Sequence, residues 1–350
     1  FRKCTHLTGI TIPGSVTSIG DYAFLNSYSI AKLTLLGTIP PSVGEEALDE
    51  MSSFLRILVP QSAVDTYKTA TGWSGHASAI SYPVIHVAGY FLNSSYSMIP
   101  CYWKGSSRTA LSTLSSNSSM ATSVAISGAY VYIGGKNTNT NNVEIAGYWR
   151  NNQWNPLLSE DSSYSSCVNA IAVSNSMLFA AGYNNNSSNM NDACYWVNKS
   201  WHALSPVSIN KESCTTGVAI VGGSYYITGY GMNSDGVYIA KRWGTMGSIE
   251  YNPMISGKNA MATAIVLSGK HIYSAGICSN SSDILIAGYW EDNQFNALPS
   301  IDSAHDSNTS CITVSGSDLY VGGYSINNSG VWVPGYWKNG TWNPLTPLDI

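Results

Sequence analysis

The side chains best suited to chemistry in this 350-residue chain lie in its later part: Glu160, Asp161, Asp192, Asp235, Asp283, Asp302, His305 and Asp306. Carboxylates and imidazoles can hold a metal, pass a proton or hydrogen-bond a hydroxyl-rich ligand. The densest group is Asp302-x-x-His305-Asp306, a spacing open to a metal ion or an acid–base pair. Solvated loop charges give the same pattern, and no Asp-x-Asp calcium motif recurs along the chain. The remaining histidines, His6, His76, His86, His202 and His271, are scattered and form no ligand set. No Gly-x-Ser-x-Gly elbow singles out a nucleophile, and no phosphate-cradling glycine loop occurs. No metal or cofactor is therefore expected. The candidate binding set is Asp161, Asp192, Asp235, Asp283, Asp302, His305 and Asp306.

These residues sit inside a repeat. Trp103, Trp149, Trp196, Trp243, Trp290 and Trp337 follow at steps of 46, 47, 47, 47 and 47 residues, and all but Trp243 follow a Tyr. Gly89, Gly135, Gly182, Gly229, Gly276 and Gly323 keep the same step, as do turn residues at Gly128, Asn175, Gly222, Gly269 and Gly316. Such a period means one supersecondary unit used many times. The unit from residue 260 shows its parts: apolar-alternating runs 261–267, 271–275, 284–290 and 294–298, separated by Gly- and Asn-bearing turns. These are antiparallel strands, four to a unit. Six units predict a six-bladed β-propeller of four-stranded blades. The first blade is expected to begin with the strand 78–81 and the last to end with the strand 341–345. Ring closure then rests on packing between first and last blades; a register in which an N-terminal strand completes the last blade stays open. The layout resembles kelch propellers, with a glycine ending strand two, an aromatic on strand three and another on strand four (Trp154, Trp201, Phe295, Trp342). The kelch double glycine survives only at Gly134-Gly135 and Gly322-Gly323, and no kelch function is carried over.

The first eighty residues keep a shorter period. Leu7, Ile30 and Phe54 recur at steps of 23 and 24, in parallel with Ile10, Leu33 and Ile57 and with Ile12, Leu35 and Val59. Short strands near 10–12, 33–35 and 57–59, stacked in parallel, follow from this spacing. The run from Ile12-Pro13 through Ser15-Val16-Thr17-Ser18-Ile19-Gly20 to Ala23-Phe24 resembles the BspA-type, or treponemal, leucine-rich repeat. Residues 63–70 read as a capping helix with Val64, Tyr67 and Ala70 turned inward. The resemblance implies a short solenoid and a bacterial surface or secreted protein, often an adhesin. The organisation expected is mainly β: a leucine-rich-repeat solenoid over residues 1–77, joined stiffly to a propeller over 78–350, with Trp73 bridging them.

Composition narrows the function. Charged residues are 10% of the chain and the net charge is −4, which excludes a generic electrostatic grip on nucleic acid or anionic lipid. No apolar run of membrane-spanning length occurs. Phe1-Arg2-Lys3 is neither a Met start nor a signal peptide, and the chain reads as a piece of a longer protein. Seven cysteines make an odd number without CxxC spacing and read as small buried strand residues. In a four-stranded blade the 2–3 loops and 4–1 connections share one face, where the acidic candidates lie; per-repeat variation there suits either a binding face or a soluble cap. The recurring aromatics are expected to pack between blades. Two functions stay open. One is a non-catalytic binding or adhesion module, a cell-surface or secreted monomer recognising protein or glycan. The other is a propeller enzyme acting on glycans as hydrolase or lyase.

Overall fold

A computed structural model describes residues 1–174 and 177–346; the turn expected at Asn175 lies outside them. The chain separates into two compact units, Phe1–Ile85 and His86–Ile350.

The first unit is built on a parallel sheet of Gly9–Ile12, Lys32–Leu35, Arg56–Leu58 and Ile80–Ser81. Its register places Ile10 beside Leu33, Leu33 beside Ile57 and Ile57 beside Ile80. The expected column is present and gains a fourth member. Parallel pairing at this step lets one apolar residue per repeat stack on the next, and Leu33, Ile57 and Ile80 are buried. A short helix, Val64–Thr69, packs on the core with Val64, Tyr67 and Ala70. Tyr67 is fully buried and its hydroxyl donates to Gly37 O at 3.0 Å, so the burial leaves no polar atom unpaired.

Two expectations change here. Ile80–Ser81 is not the first strand of a blade: it pairs with Arg56–Leu58 as the edge of the parallel sheet. Ile80 lies 23 residues beyond Ile57, so it completes the shorter period. The structural division accordingly falls after residue 85 rather than after 77. Trp73 has no free face with which to bridge units. It is fully buried within the first unit, edge-on to Tyr67, and its Nε1 donates to Pro41 O at 2.8 Å.

The second unit holds six blades. Blades two to six (120–156, 166–203, 213–250, 260–297 and 307–344) are four-stranded antiparallel sheets, and blade one (86–110) has three strands. Hairpins between third and fourth strands use Asn151-Asn152, Asn198-Lys199, Asp292-Asn293 and Asn339-Gly340, each with two positive φ values. That conformation matches the strand twist and favours Asn and Gly. The inner strands are Met120–Ser127, Ser166–Ser174, Ser213–Val221, Ala260–Ser268 and Ser307–Ser315. Each carries a β-bulge at the same place.

Recurring side chains stitch blade to blade. Trp149, Trp196, Trp290 and Trp337 are fully buried. Their indole N–H groups, and that of Trp243, donate to the chain leaving the preceding blade, at Ser112, Leu158, Asn252, Pro299 and Ser205 respectively. The expected inter-blade role of this column is what the geometry shows. At the bulge, Thr122 Oγ1 donates to Val168 O at 2.7 Å, Asn169 Nδ2 to Thr215 O at 2.8 Å and Thr216 Oγ1 to Ala262 O at 2.8 Å. A hydroxyl pair, Thr263 with Thr309, continues the series at 2.8 Å. Ser166, Ser213 and Ser307 accept from Ala146 N, Ala193 N and Ala287 N of the blade before, each at 2.9 Å. These bonds satisfy the polar atoms that make them, while the indole N–H groups of Trp154, Trp201 and Trp342 are buried without a partner.

Candidate functional site

The loop face is built from one device used six times. Asn93, Asn139, Asn186, Asn233, Asn280 and Asn327 each accept, through Oδ1, the backbone N–H groups two and four residues on. Such Asx turns hold a loop without help from a core. The residue three places after each Asn has positive φ: Tyr96, Asn142, Asn189, Gly236, Asp283 and Gly330. These 2–3 loops are thus matched turns rather than variable arms. The 4–1 connections lie against them, as in Asn185 N to Ser165 O and Ser279 N to Asn259 O, both 2.8 Å.

Placed on this face, the acidic candidates separate into builders and free groups. Asp306 accepts from Leu285 N at 2.9 Å, and the same place in other repeats holds Ser118, Ser165 and Asn259 doing the same for Met98, Glu144 and Tyr238. It is an inter-blade clasp. Asp283 occupies the positive-φ turn position and pairs with Lys258 at 2.6 Å. Asp235 is an exposed Asx-turn residue whose N–H bonds Asn233. Asp302 accepts from Ala304 N at 2.9 Å and meets His305 Nδ1 at 3.1 Å. These donors, Ala304 first, hold its carboxyl below the usual range. No group of three metal-ligating side chains forms among the described residues.

Asp161 and Asp192 belong together, on either side of Glu160. Glu160, Asp161 and Tyr164, on the connection into blade three, face Asn184, Asn185 and Asn186 across a cleft of about 360 Å³. A second cleft of about 220 Å³ joins Glu160 and Asn186 to Asp192, Trp201, Ile209 and Asn210. Asp192 receives Asn186 Nδ2 at 3.1 Å, and Ser163 N–H holds the Asp161 carboxyl below its usual range. The decisive group is Asn184. It is 4% exposed, yet its Oδ1 has no hydrogen-bond partner. At the matching place in blade two, Asn137 Oδ1 accepts from Leu114 N at 2.9 Å, and in blade six Ser325 Oγ accepts from Ile301 N at 2.9 Å. The counterpart of those donors in blade three is Glu160, which makes no bond to Asn184 Oδ1 and lines the same cleft. An unmade acceptor at this burial costs about 1–3 kcal/mol until something donates to it.

Other concavities are less equipped. A groove of about 680 Å³ in the first unit is larger and carries Glu46, Asp49, Glu50 and His76. Glu46 and Glu50 have positive φ at matching repeat turns, and no buried unpaired polar atom faces that groove. A polar cleft of about 490 Å³ beside blade two, with Asn117, Thr138 and Glu144, has the Asn117 amide already bonded, Nδ2 to Asn139 O at 2.8 Å. Lys241 is buried, but its ammonium donates to Ser205 O and Pro206 O at 3.2 and 3.1 Å. The buried thiols of Cys167, Cys214 and Cys278 are equally inert: burial pushes them up to about 12. Sequence reasoning missed Asn184, Tyr164 and Trp201. The signal for Asn184 is the pairing of Asn137 with Asn184 at one repeat position, where later repeats have Gly231, Cys278 and Ser325.

No curated protein matches the chain. Among solved structures, it is similar to a fungal lectin described as a six-bladed β-propeller with a novel fucose recognition mode, from Aleuria aurantia. The identity is 13% and the TM-score 0.42, over 75% of this chain and 90% of that one; at that distance the likeness says nothing about what this chain binds. The family model described as BspA type Leucine rich repeat region, in six copies, matches residues 1–71. The first unit thus carries BspA-type leucine-rich repeats, while the second is defined by its blades.

Proposed function

We propose that this chain is a non-catalytic binding module that recognises a glycan at the blade-three cleft of the propeller's loop face. The observation that carries the reading is the buried, unpaired Asn184 Oδ1, surrounded by Glu160, Asp161, Asn185, Asn186 and Tyr164. A sugar hydroxyl supplies the donor that Asn184 lacks, and the carboxylates accept from neighbouring hydroxyls. Tyr164 offers an apolar face with a polar tip. A phosphate or nucleic-acid ligand fits poorly beside these carboxylates. The repeats of the first unit, by their resemblance to BspA-type proteins, support a place at a bacterial surface or outside the cell. The kelch likeness remains one of layout.

A glycan array probed with the full chain, with products followed on every hit, tests this. Binding without turnover is the expected result, weakened about tenfold by Tyr164→Ala, in line with the loss of an aromatic contact worth roughly 1 kcal/mol or a little more. Turnover at the cleft would place the chain among glycan-cleaving enzymes instead. A ligand held equally well by the Tyr164→Ala protein would put the site elsewhere.

A further inference from the structure

We infer that the His86–Leu92 edge of blade one is an acceptor site for an extended peptide strand with the sequence pattern of this protein's own inner strands. In blades two to six an inner strand lies against the second strand; in blade one His86–Leu92 is itself the edge, paired only with Met98–Lys104. Val87, Tyr90 and Leu92 on it are each close to half exposed, at 47%, 47% and 55%. An exposed apolar edge strand is a template for a further strand.

Four features of the chain are fitted to that strand. Gly89 stands at the place of Gly135, Gly182, Gly229, Gly276 and Gly323. At those five, an added Cβ would lie 1.8–2.4 Å from a carbonyl oxygen of the inner strand; at Gly89 it meets only the Trp103 ring, at 3.3 Å. The glycine makes room for a backbone that blade one does not itself supply. Secondly, Ser310 occupies the bulge position of Thr122, Asn169, Thr216 and Thr263, each of which reaches the next inner strand. Ser310 keeps only the bond within its own blade, to Gly322 O at 3.3 Å, and is exposed. Thirdly, Cys311 is exposed where its counterparts Ala170 and Gly217 are buried, and the inner strand Ser307–Ser315 packs on blade five and on its own second strand. Fourthly, Trp103 is only half-buried, whereas its five counterparts are buried.

The five inner strands define the occupant. Opposite the glycine they place Ala121, Val168, Thr215, Ala262 or Thr309, followed by the bulge residue Thr, Asn, Thr, Thr or Ser, then an apolar alternation. A strand of that kind pairs antiparallel with His86–Leu92, and its backbone carbonyl beside the bulge accepts from Ser310 Oγ.

The test is titration of the full chain with a labelled peptide of residues 257–270, which spans the inner strand Ala260–Ser268. Saturable binding is expected, with slowed alkylation of Cys311 and slowed amide exchange along His86–Leu92. Gly89→Ala should melt like the parent protein but bind the peptide at least about tenfold more weakly, because its methyl meets the incoming carbonyl. A peptide with Ile265→Pro should not bind, since proline removes a ladder donor. Absence of saturable binding at about 1 mM peptide, or equal binding by the Gly89→Ala protein, overturns the assignment.

Discussion

Replacing Trp290 by alanine should cost about 3–5 kcal/mol of unfolding free energy, the range for large buried aromatics. The ring is fully buried, stacked on Tyr251 with centroids 5.0 Å apart and packed on Phe295 at 4.9 Å. Its removal leaves a cavity walled by Ala240, Ala260, Ala262 and Cys278, whose strands cannot collapse into it, so the cost falls at the upper end for its chemistry. The lost bond to Asn252 O adds little, because Asn252 is exposed and water replaces the donor. Calorimetry on the full chain measures the change. A loss below about 1 kcal/mol would mean that the seam repacks and that the Trp column is not what joins the blades.

Gly182→Ala should be nearly as damaging, by a different route. The new methyl would sit 1.8 Å from Cys167 O and 3.1 Å from Val168 Cα, both backbone atoms of the paired inner strand. No rotamer relieves a Cβ clash, so the two strands must separate and lose ladder bonds on both sides of Gly182↔Val168. About 3 kcal/mol is expected, at the top of the overpacking range. The same change at Gly89, with only the edge of the Trp103 ring at 3.3 Å, should cost less than about 1 kcal/mol. Equal costs at the two sites, compared by chemical unfolding, would show that the glycine column answers to the Trp ring and not to the inner strand.

The periods made most of the architecture legible. A Trp every 47 residues and an Ile or Leu every 23 or 24 can recur only if one packed unit recurs, and strands, turns and seams follow. The boundary was not legible because Ile80 belongs to both patterns. It lies 23 beyond Ile57 and also where the 47-residue step places an inner strand, and only the pairing with Ile57 decides between them. Two of the acidic residues hold structural places for a related reason. Asp306 differs in type from Ser118, Ser165 and Asn259, yet all four place an oxygen at one backbone N–H. What repeats there is an acceptor, not a residue. Asp283 likewise shares a backbone conformation with Tyr96, Asn142, Asn189, Gly236 and Gly330, and no letter in the sequence records a φ angle. Asn184 lies at the opposite extreme: it shares its type with Asn137, but the backbone N–H that Asn137 accepts has no counterpart bond here.

Repeated side chains therefore build the propeller, and in the proposed function the unpaired oxygens of Asn184 and Asn185, neighbours in one cleft, mark where a ligand binds. The most direct measurement pairs melting temperature with glycan affinity for Asn184→Leu and Asp306→Ala. Asn184→Leu removes a buried acceptor that nothing in the protein satisfies together with the 3.1 Å bond from Nδ2 to Asn185 O, two opposing effects that should leave stability within about 1 kcal/mol while ligand affinity falls at least about tenfold. Asp306→Ala deprives Leu285 N of its partner and should lower stability by about 1 kcal/mol with affinity unchanged. The reverse pattern, a destabilised Asn184→Leu protein that still binds beside a stable Asp306→Ala protein that does not, would contradict the account.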